Sequence, residues 1–294
     1  MISSVIDIGS NSIKLLVAEG KNAMPIFEAL SETRLSPETE SARERISEKA
    51  FAAGIRAVCE LAEAARKFSP EREAITGTSL FRTAENASEF ARAVEDATGT
   101  PMRILSGIEE AQLVAAGVAT DPSICLPCAI FDLGGGSLEF IAKNGDENTG
   151  IFETSRKLGA VRLTRKFFKN PTAPIPEEEI SALRNFVREE ISGEILQNLP
   201  RNAQTVFCGG SAGICSHLVP EKSATALETL LTKICAETLE ERIAAGVPAK
   251  RADIFPAAVA TLAEVCAVAG ISVFAHTHRN LRYGLCARLN AENT

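Results

Sequence analysis

Val5-Ile6-Asp7-Ile8-Gly9-Ser10-Asn11-Ser12-Ile13 and, about 125 residues further on, Phe131-Asp132-Leu133-Gly134-Gly135-Gly136-Ser137-Leu138 follow one pattern, D-x-G-x-x-S with an apolar residue on either side. Each run reads as two strands joined by a tight turn. Used twice, the hairpin predicts an α/β protein of two similar domains facing one another across a cleft. The residue types point to phosphate. Glycines let the backbone approach an anion closely, and successive N–H groups in a tight turn form an anion-binding concavity. The expected anion-binding residues are Asp7, Gly9, Ser10, Asn11 and Ser12 in the first turn and Gly134, Gly135, Gly136 and Ser137 in the second. An aspartate beside phosphate needs a cation between them, and Mg²⁺, held by one or two carboxylates plus water and phosphate, meets that need. Two residues after each serine, on the same strand face, lie Lys14 and Glu139. Lys14 suits direct phosphate contact. Glu139, with Asp132, suits the metal or its water shell. One copy alone is also explained as a plain hairpin with glycine where φ is positive; two matching copies with an acid at the same place favour the chemical reading.

Outward from the repeat, strands are expected at Val5–Ile8, Ile13–Ala18 and Pro25–Leu30, then a helix from about Ser47 with Phe51, Ile55, Val58, Ala62 and Ala65 on one face. A strand at Glu73–Thr76, a helix at Glu85–Ala97 and a strand at Met102–Leu105 follow. Ser106-Gly107-Ile108-Glu109 has the form of a capping box opening the next helix. That helix stops before Thr120-Asp121-Pro122, where the domain boundary is placed: 1–122, then 123–280, with a terminal helix of about 281–294 returning to the first domain. In the second half, strands are expected at Cys128–Phe131, Leu138–Ala142, near Gly150–Thr154 and at Gln204–Cys208. Pro176 and three glutamates open a helix with Ile180, Leu183, Val187, Ile191 and Ile195 on its apolar face. Gly209, Gly210 and Ser211 form a third glycine turn, also expected to meet phosphate.

A net charge of −7 argues against a general nucleic-acid binder, and means that a polyanionic substrate must find a local basic lining. Eight scattered cysteines and an apolar strand directly after Met1, with no secretory leader, predict free thiols in a reducing cytoplasm. Cys125-Leu-Pro-Cys128 has the spacing of a metal knuckle but no second pair, and buried or edge-strand thiols are the plainer reading. His276 and His278 likewise have no evident third ligand. Ile254–Ala275 is apolar, but Pro256 and Gly270 break it and Glu264 would be costly in a bilayer. A core helix followed by a strand at Ile271–Phe274 is expected, and no membrane span.

The two glycine motifs, with Gly77-Thr78-Ser79-Leu80-Phe81-Arg82, Leu105-Ser106-Gly107-Ile108-Glu109-Glu110-Ala111, Lys157-Leu158-Gly159-Ala160-Val161-Arg162-Leu163-Thr164 and Arg251-Ala252-Asp253, resemble in order the signatures of the exopolyphosphatase / guanosine pentaphosphate phosphohydrolase family. The resemblance covers nearly the whole chain. It implies two domains of the acetate-kinase/sugar-kinase/actin (ribonuclease H-like) fold with an interdomain site. It further implies an acid-anhydride hydrolase that removes the terminal phosphate of polyphosphate or guanosine pentaphosphate with Mg²⁺. By the same resemblance Glu110 is the base and Arg82 a charge-neutralising arginine, and Asp132 and Glu139 take the metal. The local reading agrees on Glu110, since a capping box already employs Glu109. A homodimer comes with the resemblance too, although nothing in the residues derives it.

Three stretches depart from the family pattern: Ser36-Pro37-Glu38-Thr39-Glu40, where many relatives are glycine-rich; the third turn, without its usual threonines; and His276–Gly284, which keeps only Leu-Arg-x-Gly. The chain also stops where the two-domain core stops, so a weaker grip on long polymers is expected. Two other classes fit the same fold, a nucleotide-dependent kinase or ATPase and a non-catalytic sensor of guanosine tetra- or pentaphosphate. Glu110, Asp132 and Glu139 together argue against the sensor.

Overall fold

The computed structural model describes residues 1–35, 45–144 and 152–291. Ser36–Glu40, the start of the strand expected near Gly150 and the last residues of the expected terminal helix lie outside them. The chain divides into two compact units, Met1–Pro122 with Arg279–Thr294, and Ser123–His278.

The first unit opens with β1 (Ile2–Ile8), β2 (Ile13–Glu19) and β3 (Met24–Ser31), followed by α1 (Glu48–Arg66), β4 (Arg72–Gly77), α2 (Ala87–Thr98), β5 (Met102–Ile104) and α3 (Gly107–Val118). Its sheet has the order β3-β2-β1-β4-β5, with β1, β2 and β3 antiparallel and β4 and β5 joined parallel to β1. β1 and β2 are apolar on both faces because both are covered. Ile6, Ile8, Ile13, Leu15 and Val17 pack with Val58, Leu61, Phe90 and Val94, whereas Val5, Leu16 and Ala18 pack with Tyr283 and Cys286. α2 begins two residues later than its expected start at Glu85. Asn86 is its N-cap residue, and the Asn86 side chain is occupied in paired hydrogen bonds with the backbone of Ile46.

The second unit runs β6 (Cys128–Leu133), β7 (Leu138–Lys143), β8 (Phe152–Arg156), α4 (Ala160–Phe167), α5 (Glu177–Ile191), α6 (Glu194–Gln197), β9 (Gln204–Cys208), α7 (Gly210–Leu218), α8 (Ala224–Ala236), α9 (Leu239–Ala244), α10 (Phe255–Ala269) and β10 (Ala275–His276). Its sheet, β8-β7-β6-β9-β10, repeats the first in order and sense: an antiparallel hairpin with a third antiparallel strand, then two parallel strands. Phe131, Phe140, Phe207 and Phe274 pack through its core in tilted and edge-on pairs, with ring centroids 4.8 to 5.9 Å apart. This doubled α/β topology is that of the acetate-kinase/sugar-kinase/actin class.

Last comes α11 (Leu281–Ala291), which belongs to the first unit and lies against α3, β1 and β2. Here two backbones touch. A Cβ on Gly284 would sit 1.9 Å from the Leu113 carbonyl oxygen, and one on Gly117 would sit 2.0 Å from that of Asn280.

Two expectations are corrected. The helix after Pro176 does not reach Ile195: it ends at Ile191, and Ser192-Gly193, with Gly193 at φ 81°, separates it from α6. Both helices still bury their apolar residues, so the period continues through a break in the backbone. The strand expected at Ile271–Phe274 is displaced to Ala275–His276. The backbone of 272–274 is bound instead to residues 222–224, through Ala224 N–H to Ser272 O and Phe274 N–H to Lys222 O, both at 2.9 Å. α10 is the core helix expected, buried without interruption from Phe255 to Cys266. Its one acid, Glu264, accepts from Arg184 and Arg188 at 2.7 Å each. No described helix is long and apolar enough to cross a membrane.

Candidate functional site

In the first unit the turn Gly9–Ser12 is closed by Gly9 N–H donating to Ser12 O at 3.1 Å, where a Cβ on Gly9 would be crowded at 3.2 Å. Ser10, Asn11 and Ser12 are buried. The turn is fixed from two sides. Thr78 N–H donates to Ile8 O and Leu35 N–H to Ser10 O, while Arg34 Nε donates to Asn11 Oδ1 at 3.1 Å. Asp7 and Lys14 stand opposite one another in register. Burial pushes the Asp7 carboxyl above its ordinary range, against the pull of Lys14 and Arg282. Asp7 Oδ1 and Asn11 Nδ2 are out of solvent and have no hydrogen-bond partner. An orphan acceptor at the end of β1 and an orphan donor in the turn that follows are costly, and mark a place where a ligand would complete the bonding.

Past the end of β5, Ser106 caps α3 in the expected capping box: its hydroxyl accepts from Glu109 N–H, and the Glu109 carboxylate accepts from Ser106 N–H at 2.9 Å. Glu110, one residue on and buried, has a different partner. Its Oε2 accepts from Arg82 Nη1 at 2.7 Å, and the same nitrogen donates to Leu105 O at 3.0 Å. Two residues expected to act together, 28 positions apart, thus form one ion pair.

In the second unit Gly134 N–H donates to Ser137 O at 2.9 Å, and Asp132 and Glu139 stand in register across the hairpin, 7% and 1% exposed. Ser155 Oγ donates to Glu139 Oε1 at 2.8 Å. α4 presses on this turn. Ala160 N–H donates to Gly134 O, Val161 and Arg162 N–H to Gly135 O, and Arg162 Nε to Gly136 O. With those carbonyls engaged, what the turn offers a ligand is N–H. Gly159 is required here, because a Cβ would sit 2.3 Å from the Gly136 backbone. The third turn reaches the same place. Gly209, at φ +98°, passes so close that a Cβ would lie 2.3 Å from Leu133 O and 2.9 Å from Asp132 Oδ1. Gly210 and buried Ser211 follow at the start of α7, with the Arg251 guanidinium against Gly210.

The residues fit Mg²⁺. Asp132 and Glu139 are oxygen donors, two buried carboxyl groups in register, and such a pair suits a hard cation that keeps water and phosphate in its remaining positions. Among the described residues no group of three or more His, Cys, Asp or Glu that could hold a metal is gathered. His276 and His278 meet edge to face, centroids 4.5 Å apart, beside Gly213 of α7. Cys125 is exposed and Cys128 is buried in β6, both as free thiols.

Residues that sequence reasoning left without a role are Arg34, Gly159, Arg162 and Arg251. The last three lay inside quoted motif runs, which was the available signal; Arg34 had none beyond its charge.

The fold is of the actin-like class, with one glycine hairpin in each unit. The chain matches the Ppx/GppA phosphatase family over residues 15–291, and it belongs to that family. An uncharacterised protein of Streptomyces coelicolor, SCO0757, is 32% identical over 194 residues, 65% of this chain and 57% of that relative. The match therefore spans less than two thirds of the relative's length. Among solved structures, an exopolyphosphatase from Cytophaga hutchinsonii superposes with a TM-score of 0.87 at 21% identity, over 99% of this chain and 98% of that one. The Aquifex aeolicus PPX-GPPA enzyme superposes with a TM-score of 0.78 at 23% identity, over 98% of this chain and 99% of that one. At these identities the likeness is one of fold.

Proposed function

We propose that the chain hydrolyses phosphoanhydrides, releasing the terminal phosphate of inorganic polyphosphate or of guanosine pentaphosphate with Mg²⁺ bound. The observation that carries this reading is the buried Asp132–Glu139 pair beside two glycine turns, a carboxylate pair that suits a cation next to amides that suit an anion. Asp132 and Glu139 would hold Mg²⁺, which when bound offsets charge on the phosphate oxygens. In the second unit the turn amides of 134–137 would orient phosphate oxygens, and in the first the Gly9–Ser12 turn with Lys14 offers the same chemistry. Arg82 offers donors to the transferred group, and Glu110, buried and aimed by Arg82, orients the attacking water and takes its proton at a carboxylate oxygen. Catalysis of this kind rests on positioning and electrostatics.

The test is phosphate release measured side by side on long polyphosphate, short polyphosphate and guanosine pentaphosphate, with and without Mg²⁺. Release that needs Mg²⁺ on at least one of the three is expected. No release from any of them, or release indifferent to chelation, overturns the reading.

A further inference from the structure

Arg282, the second residue of α11, is a buried cation, 8% exposed. Its place is set by glycine. Gly284, two residues on, admits no side chain against Leu113 O of α3, so α11 seats closely and delivers Arg282 onto the sheet. There its guanidinium reaches the first hairpin. Nη1 donates at 2.9 Å to the carbonyl oxygen of Leu15, the residue after Lys14 on β2, and at 3.2 Å to Glu28 Oε2 on β3. The same helix holds Glu28 a second time, since Tyr283 Oη donates to Glu28 Oε1 at 2.7 Å. Arg282 Nε is out of solvent with no hydrogen-bond partner, as is Asp7 Oδ1 on β1. Burial, which raises the Asp7 carboxyl, is opposed first by Lys14 and then by Arg282. One side chain thus acts on β1 by charge and on β2 and β3 by bonding.

We infer that Arg282 is a positioning residue for anion binding in the first unit: it shares the Asp7 carboxylate with Lys14 and fixes the strand beside it, so that the Lys14 ammonium is presented to phosphate. The inference rests on the reading that the Gly9–Ser12 turn with Lys14 takes phosphate. An aspartate facing a lone lysine would cancel its charge, and the turn would lose its pull on an anion. A second cation beside the aspartate restores that pull. Glu28 is the other acid bonded to Arg282, and at 42% side-chain exposure its charge is partly screened by water. An arginine that only anchored α11 would leave phosphate affinity alone.

The experiment measures, by calorimetry with Mg²⁺ present, the affinity of the full chain for methylenediphosphonate, a phosphoanhydride analogue whose bridge cannot be hydrolysed. Arg282→Gln keeps a donor for Leu15 O and removes the charge, whereas Arg282→Lys keeps the charge and gives up the fork. Arg282→Gln should weaken binding roughly five- to tenfold, and Arg282→Lys should stay within about twofold of wild type. Added to Lys14→Met, Arg282→Gln should cost less than about twofold more, because the arginine acts through the lysine. Tyr283→Phe, which loosens the same helix at Glu28, should lower the melting temperature and leave affinity unchanged. Additive losses at Lys14 and Arg282, an equal loss in Tyr283→Phe, or wild-type affinity in Arg282→Gln would overturn the inference. So would a roughly tenfold loss in Arg282→Lys, the variant that decides if the glutamine variant does not fold. Phosphate release from polyphosphate, followed on the same proteins, keeps the two claims apart. The expected affinities without any release leave Arg282 in its role and sink the hydrolase; release without that pattern does the opposite.

Discussion

The β1–β2 and β6–β7 hairpins share a backbone and differ in charge. Both turns are closed by a glycine N–H on a serine carbonyl, and both place an aspartate opposite the residue two positions past that serine. In the first unit that residue is Lys14, and the aspartate is left with a buried oxygen that no group bonds. In the second it is Glu139, so two carboxylates lie buried together. The supports differ as well. Residues 34 and 35 brace the first turn through a side chain and one amide; the start of a helix braces the second through three amides and a backbone contact that admits only glycine. Under the proposed function one frame serves two tasks, with the residue facing the aspartate deciding between anion and cation.

The unit with the lysine hairpin also holds the Arg82–Glu110 pair, and the largest effect is expected there. Glu110→Gln should reduce turnover on polyphosphate by about 10²–10⁴ with binding retained; wild-type turnover in that variant removes Glu110 from the chemistry. Exchanging the two facing residues comes next. Glu139→Gln should raise the Mg²⁺ concentration for half-maximal phosphate release by tenfold or more, on the order of what disturbed metal ligation costs. Lys14→Met should raise KM and leave the Mg²⁺ requirement in place. If both variants shift the same parameter, the division of labour between the hairpins is wrong.

The braces are separated by unfolding experiments. Gly159→Ala forces a methyl into backbone and should cost about 1–3 kcal/mol, while Gly9→Ala, facing a milder contact, should cost less. Equal losses in a denaturant titration would mean that the two turns are braced alike. The smallest effect concerns the cap that keeps Glu109 apart from Glu110. Ser106→Ala should cost about 1 kcal/mol near neutral pH. The Glu109 carboxyl is held below its ordinary range by the Ser106 amide first, then the Ser106 hydroxyl and Arg103. A depressed carboxyl stabilises above its unfolded-state pKa and loses that contribution as pH falls through the folded one. The difference between variant and wild type should therefore narrow in acid, and a gap that stays constant with pH would argue against the cap.

What the sequence made legible were features carried by local pattern. The paired D-x-G-x-x-S runs named both hairpins, Ser106 and Glu109 named their cap, and Ser47 named the start of α1. Elements whose pattern misleads were lost. α7 opens with Gly-Ser-Ala-Gly, residues that read as loop; it forms because Gly209 adopts a positive φ beside Leu133 and turns the chain into a helix. α4 was missed because its short apolar face is interrupted by cations. Ile195 was assigned to α5 because hydrophobic period does not register a two-residue break. Of the site, Glu110 and Arg82 were named through family likeness and the cap, but their direct pairing is a tertiary fact 28 residues wide. Arg251 and Gly159 lay inside quoted motif runs, but their close approach to Gly210 and to the Gly136 backbone is a tertiary fact that no run of residues spells out.

The return of α11 to the first unit sets an order of events for the growing polypeptide. Val5, Leu16 and Ala18 receive their cover from Tyr283 and Cys286, near the far end of the chain. The second unit is continuous from Ser123 to His278, so everything it requires has emerged before that cover exists. The half made first is thus the half completed last, the reverse of the usual progression from the N-terminus. Proteolysis of ribosome-bound chains of increasing length reads this directly: protection should reach the inserted unit while the opening strands are still cut.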